Sequence, residues 1–262
     1  MERKLGCSTW GQDLDTRIKA IEIIGKTGFD TVMLPIWIND PDGTARMVEA
    51  VRQNGMTVDE LHAPFNNINH IWYDEDWCDE TTETLLRSIG ICAATKVDTM
   101  VLHESSGRIG PDMSNAGLAR FRRIFEYAAE KGVRPALENL RRTNYIARLF
   151  HENRDLPVYY CWDSGHEICY TPGVDHVALF PDKLVCTHIH DNSGVYMMDD
   201  HWLPFDGAMD WERKARFIRE SGYTGALTME LARPLAKYNH LSDEEFTAEA
   251  YKRIQKFAEM CK

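Results

Sequence analysis

Residues 115–138 read NAGLARFRRIFEYAAEKGVRPALE, and this stretch contains the unit from which the whole chain is built. Its first part, residues 115–131, has the apolar spacing of an amphipathic helix. Gly132 follows, at the place where a residue in the left-handed conformation commonly ends a helix. Pro135–Glu138 then predicts a short buried strand that ends on a carboxylate. The alternation of an amphipathic helix with a short buried strand, seen here once, recurs along the chain.

Short apolar runs alternate with longer amphipathic stretches eight times along the chain. The predicted strands are Leu5–Ser8, Thr31–Leu34, Thr57–His62, Thr99–His103, Pro135–Glu138, Val158–Trp162, Leu184–His190 and Ala226–Glu230. The predicted helices span residues 14–26, 42–53, 79–95, 115–131, 144–153, 174–179, 210–221 and 243–260. Ser242 and Glu245 have the spacing of a capping box, which predicts the start of the last helix.

Eight such alternations predict a parallel sheet closed into a (β/α)8 TIM barrel, a single domain of residues 1–262. The 262 residues are close to the length of about 250 that is typical of this fold. An open doubly wound sheet is the competing architecture, and it usually carries a glycine-rich phosphate loop after its first strand. Residues 8–13, Ser-Thr-Trp-Gly-Gln-Asp, contain no such loop, so the barrel is favoured.

The composition indicates which binding partners and which cellular compartment to expect. The formal net charge is −11, which argues against a nucleic-acid-binding surface because phosphate contacts need clustered Lys and Arg. Seven cysteines without a Cys-x-x-Cys pair, and an N-terminus without an apolar leader, predict a reducing compartment, with the cytoplasm as the default. No window approaches the length of a membrane span. A homo-oligomer is compatible with the sequence.

Ionisable side chains end, or directly follow, six consecutive predicted strands. They are His62, His103, Glu138, Asp163, His190 and Glu230. In a barrel these strand ends meet at one rim, where barrel active sites lie. Carboxylates mixed with imidazoles suit Mn, Co, Zn, Fe or Mg better than thiolate-preferring ions. The sequence therefore predicts a divalent-metal site at this rim.

Single residues of this set have simpler interpretations. Asp163 could accept a hydrogen bond in an Asx turn, since Ser-Gly follows it. His188 and His190 face the same side of a strand by period two, so one could be a ligand and the other packed. The argument for a metal site depends on the joint pattern.

Two further features lie near the predicted rim. The loop after strand 7, which contains Asp199 and His201, exceeds the usual two to six residues, as functional loops often do; an exposed polar loop is the alternative. Arg141 and Arg142 follow Glu138, so one of them could bind an anionic substrate.

The sequence resembles the sugar phosphate isomerase/epimerase family, xylose isomerase-like TIM barrels that include ketose 3-epimerases and the endonuclease IV branch. The resemblance spans nearly the whole chain. It is carried by Leu-Glu-Asn-Leu (137–140), Asp-Ser-Gly-His (163–166), His-Ile-His-Asp-Asn (188–192), Asp-Asp-His-Trp-Leu-Pro (199–204) and Thr-Met-Glu-Leu (228–231).

In the family's epimerases, one metal is held at positions matching Glu138, Asp163, His190 and Glu230, and the two glutamates exchange the substrate proton. The resemblance further implies that His166 and His201 contact the substrate. His62, His103 and Arg141 are predicted as further substrate-binding residues from their places at the rim. Asn144 stands where some epimerases have a second acid, which is a departure from the ketose 3-epimerases. The endonuclease branch binds three zinc ions, and its ligand types match His62, His103, Glu138, Asp163, His166, His190, Asp199, His201 and Glu230. His166, Asp199 and His201 are thus further candidate metal ligands.

These observations predict a sugar, sugar phosphate or keto-polyol isomerase or epimerase with one divalent ion (Mn, Co, Zn or Mg), working through an enediolate. Glu138 and Glu230 would be general base and acid. Three alternatives stay open: an endonuclease IV-like phosphodiesterase with up to three zinc ions, a dehydratase or other lyase, and a non-catalytic sugar- or metal-binding barrel. The expected partner is a small sugar or polyol, with neither nucleic acid nor membrane.

Overall fold

The computed structural model describes residues 3–262, apart from the side chain of residue 76; residues 1 and 2 of the predicted domain lie outside the described part. The described residues form eight strands, each within two residues of its predicted position. They are β1 Leu5–Ser8, β2 Thr31–Pro35, β3 Thr57–His62, β4 Thr99–Leu102, β5 Arg134–Glu138, β6 Tyr159–Asp163, β7 Leu184–His188 and β8 Leu227–Met229.

The helices between the strands largely follow the predicted ranges. They are α1 Leu14–Thr27, α2 Pro41–Gln53, α3 Asp79–Thr95, α4 Asn115–Lys131, α5 Thr143–Glu152, α6 Ser164–Tyr170, α7 His176–Leu179, α8 Trp211–Glu220 and α9 Asp243–Met260. Gly132 has a φ of 69° after α4, and Ser242 and Glu245 form the predicted capping box of α9. The prediction missed α6, which begins directly after β6 with Asp163 as its N-cap.

All eight strands form one parallel sheet, in the order β7-β6-β5-β4-β3-β2-β1-β8. The pairing of Leu5 with Leu227 joins β1 to β8. The last seam, between β7 and β8, is held by a bridge between Ile189 and Met229, where the Ile189 N–H donates to the Thr228 carbonyl at 2.9 Å. The predicted (β/α)8 barrel is thereby confirmed, as a nearly closed one. Among the described residues, no helix combines the length and the apolar character needed to cross a membrane.

A small buried cluster fixes which side chains the barrel presents at its carboxyl end. Val101, Ala136, Cys161 and Cys186, on β4 to β7, pack together apart from the main core. Because side chains two residues apart on a strand face the same side, the next layer up is formed by His103, Glu138, Asp163 and His188. All seven cysteines are free and buried.

Candidate metal centre

Glu138 lies at the centre of the candidate site, surrounded by four imidazoles. Its Oε2 is 3.2 Å from Nε2 of His62 and 2.9 Å from Nε2 of His103, and its Oε1 is 3.1 Å from Nδ1 of His166 and 3.3 Å from Nδ1 of His188. Burial alone would raise the pKa of Glu138, but the charges of His188 and His103 hold that pKa well below its ordinary value. Glu138 is therefore a carboxylate whose two oxygens are both directed at nitrogen ligands.

Among the described residues, three groups of side chains have the arrangement of metal ligands. Within each group, the candidate ligand atoms lie within 4.8 Å of one another. The groups are His62, His103 and Glu138; Glu138, Asp163, His188 and Glu230; and His190, Asp199 and His201. Glu138 belongs to two of them, and a carboxylate has two oxygens with which to bridge neighbouring cations. The arrangement could hold one cation or several.

The structure places His188, rather than His190, beside the other three residues predicted to share an ion. Nδ1 of His188 lies 3.6 Å from Oε2 of Glu230, whereas Nε2 of His190 faces Oδ2 of Asp163 at 3.1 Å and its ring stacks on His201. β7 ends at His188, and only a single bridge from Ile189 to Met229 continues it, so His190 lies beyond the last layer of strand residues. The period-two pattern left both histidines open, and the resemblance indicated the second.

Asp163 accepts the turn hydrogen bond that the sequence suggested, and it also belongs to one of the candidate ligand groups. Its Oδ1 accepts the backbone N–H of His166, which starts α6, while its Oδ2 faces His190. Gly165, in the same turn, lies against the ring of His190: a Cβ added there would be 1.9 Å from Cε1 of that ring. A side chain at position 165 is therefore incompatible with this position of His190.

The long loop after β7 reaches the site. Oδ2 of Asp199 lies 3.1 Å from Nε2 of His166 and 3.4 Å from Nε2 of His201. Asn192 fixes the loop, because its side chain donates to Asp199 Oδ1 at 3.2 Å and accepts the backbone N–H of His201 at 3.1 Å. Burial would lower the pKa of His201, but Asp199 and Glu230 raise it to about 9. The loop is thus part of the candidate centre.

Backbone carbonyls set the proton positions of three site histidines. A carbonyl can only accept, so Nδ1 must donate to Ala63 O in His62 (2.8 Å), to Asn139 O in His166 (3.1 Å) and to Glu230 O in His201 (3.3 Å). The Nε2 atoms of these rings are then unprotonated in the neutral form and available to a cation. In metal sites, a hydrogen bond from the ring nitrogen that does not bind the metal usually orients the histidine.

The two glutamates of the site differ in access. The side chain of Glu138 is 1% exposed, whereas that of Glu230 is 21% exposed. Glu230 lines a cavity of about 290 Å³ together with His62 and His201. Arg141 lies further back: its guanidinium stacks 3.8 Å above the ring of Tyr170, which in turn stacks on His166.

Glu60 is a buried member of the site that the sequence analysis missed. It lies on β3 two residues before His62, so it faces the barrel interior, and its Oε1 is 3.3 Å from Nε2 of His188. Below it, Oδ2 of Asp59 accepts a hydrogen bond from Thr228. Burial, followed by the charge of Glu60, raises the pKa of Asp59 well above its ordinary value. Spacing by two from His62 was the signal that could have identified Glu60.

The unpaired atoms of the site fit a cation. Oε1 of Glu138 and Nδ1 of His188 are buried without a well-directed hydrogen bond, as is Nδ1 of His190. Buried polar atoms are rarely left without a partner, and a cation between the first two would satisfy both. Metal-bound nitrogen and oxygen ligands lie about 2.0–2.2 Å from the ion, which places neighbouring ligand atoms near the separations observed here.

Comparisons with known proteins agree with this architecture. The chain belongs to the xylose isomerase-like TIM barrel family, whose model matches residues 21–257. A curated relative from Sinorhizobium fredii (strain NBRC 101917 / NGR234), "Uncharacterized protein y4fM", is 31% identical over 200 residues, which are 71% of this chain and 63% of that protein. The chain thus matches slightly less than two thirds of that relative's length.

Solved structures with the same fold include three epimerase or epimerase-like proteins. An L-ribulose 3-epimerase superposes with a TM-score of 0.78 at 14% identity, covering 100% of this chain and 96% of that one. A D-tagatose 3-epimerase-like protein gives 0.75 at 20% identity, covering 98% of each chain. The 3-keto-D-glucoside 4-epimerase of E. coli gives 0.72 at 15% identity, covering 97% of this chain and 100% of that one. At such identities the likeness shows the fold.

Proposed function

We propose that the protein is a divalent-metal-dependent isomerase or epimerase of a small sugar, sugar phosphate or keto-polyol. The observation that carries this proposal is the group Glu138, Asp163, His188 and Glu230, in which a nearly buried ligand set includes one carboxylate that opens to a cavity. Its mixed nitrogen and oxygen donors suit Mn, Co, Zn or Mg. The names of two epimerases that share the fold, L-ribulose 3-epimerase and 3-keto-D-glucoside 4-epimerase, indicate sugar substrates.

The chemistry to be assisted is removal of a proton from a carbon next to a carbonyl. A cation bound in this group would supply Lewis-acid stabilisation of the negative charge that develops on the substrate oxygens. Glu230, the more accessible glutamate, removes the proton as general base. For epimerisation, Glu138 would take up a proton from the imidazoles around it and deliver it to the opposite side of the same carbon, whereas return of the abstracted proton by Glu230 to the neighbouring carbon gives isomerisation. His62, His166 and His201 orient the substrate hydroxyls. We also propose a cytoplasmic location, which the free buried thiols support.

Solvent exchange tests this proposal directly. The metal-loaded protein would be incubated in deuterated water with a panel of ketoses, ketose phosphates and inositol-type ketones, and each compound would be analysed for deuterium. Deuterium at one carbon of one compound identifies both substrate and reaction, and elimination of water from the same compound would identify a dehydratase instead. If no compound exchanges above the rate of the metal-free protein, the proposal is wrong.

A second candidate function is favoured by one specific observation. The three ligand groups adjoin one another, and two of them share Glu138, which is the arrangement expected of a multinuclear centre. Such a centre would suit hydrolysis of a phosphoester by an activated water, as in the endonuclease IV branch. The net charge of −11 disfavours a DNA duplex as the substrate. Metal content per chain, measured by elemental analysis, separates the two: one tightly held ion favours the isomerase, and three zinc ions with cleavage of an abasic-site duplex favour the hydrolase.

A further inference from the structure

The wall of the cavity beside Glu230 contains a polar side chain, Arg17, that has no role in the proposed proton transfer. Glu230, His62 and His201 line one part of it, and Arg17 from the first turn of α1 lines another. The volume of about 290 Å³ is just below the range of about 300–1,000 Å³ that is typical of small-molecule sites. A molecule the size of a monosaccharide that reaches Glu230 would therefore also lie within reach of Arg17.

Contacts within the protein hold the guanidinium of Arg17 in place without using all of its N–H donors. Its Nη1 donates to the hydroxyl of Thr9 at 2.9 Å, and its guanidinium carbon lies 5.7 Å from the ring centre of Trp37. Its Nε is buried and has no hydrogen-bond partner. Within the part of the chain that the structure describes, no carboxylate lies within ion-pair distance of Arg17. Burial, with no compensating acid, lowers its pKa.

Some other buried or partly buried cations of the protein are paired with acids, whereas Arg141 stacks on the ring of Tyr170. Lys214 is paired with Glu167 and with Asp175, and Arg233 is paired with Asp243. Among the described residues, neither Asp13 nor Asp15, the acids nearest to Arg17 in sequence, forms an ion pair with it, and the side chain of Asp13 caps α1 through the backbone N–H of Thr16. Removing a guanidinium from water without an acidic partner is costly, so its retention on a cavity wall calls for a partner from outside the chain.

We propose that Arg17 binds an anionic group of the substrate, a phosphate or a carboxylate carried at the end of the molecule away from the ligand group around Glu138. The planar guanidinium of arginine presents paired donors that match either oxyanion. This inference rests on the proposed function, since it gives that substrate a charge. It also places the reactive carbons at Glu230 and the anionic end at Arg17, which orients the molecule in the cavity.

A matched set of ligands tests the assignment. Binding of a ketopentose, its 5-phosphate and the corresponding uncharged and carboxylate-ended analogues to the metal-loaded protein would be measured by calorimetry. We expect the form with the correct anion to bind roughly ten- to a hundredfold more tightly than the uncharged form, and Arg17→Met to abolish this preference without weakening the uncharged form. Arg17→Lys should keep part of it, and Arg46→Met, at an exposed position of α2, should keep all of it. A preference that survives in Arg17→Met overturns the proposal.

A second measurement is independent of turnover. Sulfate is an oxyanion of similar shape, and its effect on the thermal unfolding midpoint of the metal-loaded protein would be compared between wild type, Arg17→Met and Arg46→Met. Sulfate stabilises proteins generally by exclusion, so the informative quantity is the extra rise that Arg17→Met loses and Arg46→Met keeps. If that extra rise is found but no ketose exchanges deuterium, the anion site stands and the proposed function fails. If all three proteins respond alike, the anion site is wrong whatever the reaction.

Discussion

Glu60 lies directly beneath His188, with its Oε1 3.3 Å from the imidazole Nε2, and both side chains are fully buried. The other nitrogen of the ring, Nδ1, faces Glu138 at 3.3 Å and Glu230 at 3.6 Å. If the lower nitrogen keeps its proton for Glu60, the upper one presents a lone pair to a cation between the two glutamates. A carboxylate behind a histidine is the usual device for orienting a metal-binding imidazole.

This relationship predicts the effect of Glu60→Gln. The amide keeps the size of the side chain but removes the charge that favours one imidazole orientation, so metal affinity should fall by about 10–100-fold, as is typical of such outer partners. Competition with a chelator of known affinity measures this loss. Glu22→Gln, at an exposed position of α1, is the matched control and should bind metal as the wild type does. Unchanged affinity in Glu60→Gln would show that the ring is oriented by other contacts.

Gly165→Ala should damage the ligand group of His190, Asp199 and His201. The added Cβ would lie 1.9 Å from the His190 ring, so either the ring or the turn must move, at a cost of about 1–3 kcal/mol. Denaturant unfolding measures the cost, and metal content measures the loss of the group. Gly90→Ala is the control, because a Cβ at that helical position meets nothing within 4 Å and should stabilise the protein by about 0.4–1 kcal/mol. Equal effects of the two substitutions would contradict the predicted clash.

The predictability of this site from the sequence differs from residue to residue. Strand ends could be located because β strands show apolar runs, and their convergence follows from the barrel, so Glu138, Asp163 and Glu230 were placed correctly beside one another. The choice between His188 and His190 depended on where β7 ends, and strand ends are the least certain part of such predictions. Glu60 was hidden because it lies inside a strand, where an acidic side chain normally faces solvent.

The helix α6 was missed for a related reason. Residues 164–170 contain a serine and a glycine directly after the strand, which favours a turn, and the segment lacks a helical apolar period long enough to recognise. The hydrogen bond from the His166 backbone to Asp163 starts the helix. A residue predicted as a ligand therefore also fixes local structure, and a pattern based on one role per residue could not show this.

A histidine outside the site predicts a pH dependence of stability. His176 is fully buried, and burial followed by the charge of Lys214 lowers its pKa to about 4, while Asp175 acts in the opposite direction. Between the unfolded pKa of about 6.5 and the folded value of about 4, the unfolded chain binds a proton that the folded chain does not, so stability falls as pH falls through this window. His176 should account for roughly 2–3 kcal/mol of that loss.

The comparison that checks this uses His176→Gln, whose amide can still form a hydrogen bond with the hydroxyl of Thr171, as Nε2 of the imidazole does now at 2.9 Å. Unfolding free energies of the wild type and the variant would be measured from pH 7 to pH 4. The variant should show the shallower slope, because it has no imidazole to protonate on unfolding. Parallel slopes would mean that His176 is protonated in the folded protein at these pH values.

Glu230→Gln and Glu138→Gln should lose activity for different reasons, because the surroundings of the two glutamates differ. Glu230 is partly open to the cavity, and its amide variant leaves Glu138, Asp163 and His188 to hold a cation. We therefore expect metal content and fold to persist while turnover falls by about 10²–10⁴-fold, the usual contribution of a general base. Glu138 contacts four imidazoles and belongs to two ligand groups, so Glu138→Gln should lose metal first, and turnover as a consequence.

Metal content by elemental analysis and deuterium exchange into the substrate, measured on the same samples, separate the two failures. Adding excess metal should restore part of the deuterium exchange of Glu138→Gln, because that step needs only Glu230 as the base, but none of that of Glu230→Gln, in which the base is missing. Glu22→Gln again provides the baseline for loss of a surface charge. Near-normal exchange in Glu230→Gln would remove this residue from the proton transfer and would leave Glu138, despite its burial among imidazoles, as the base that the reaction needs.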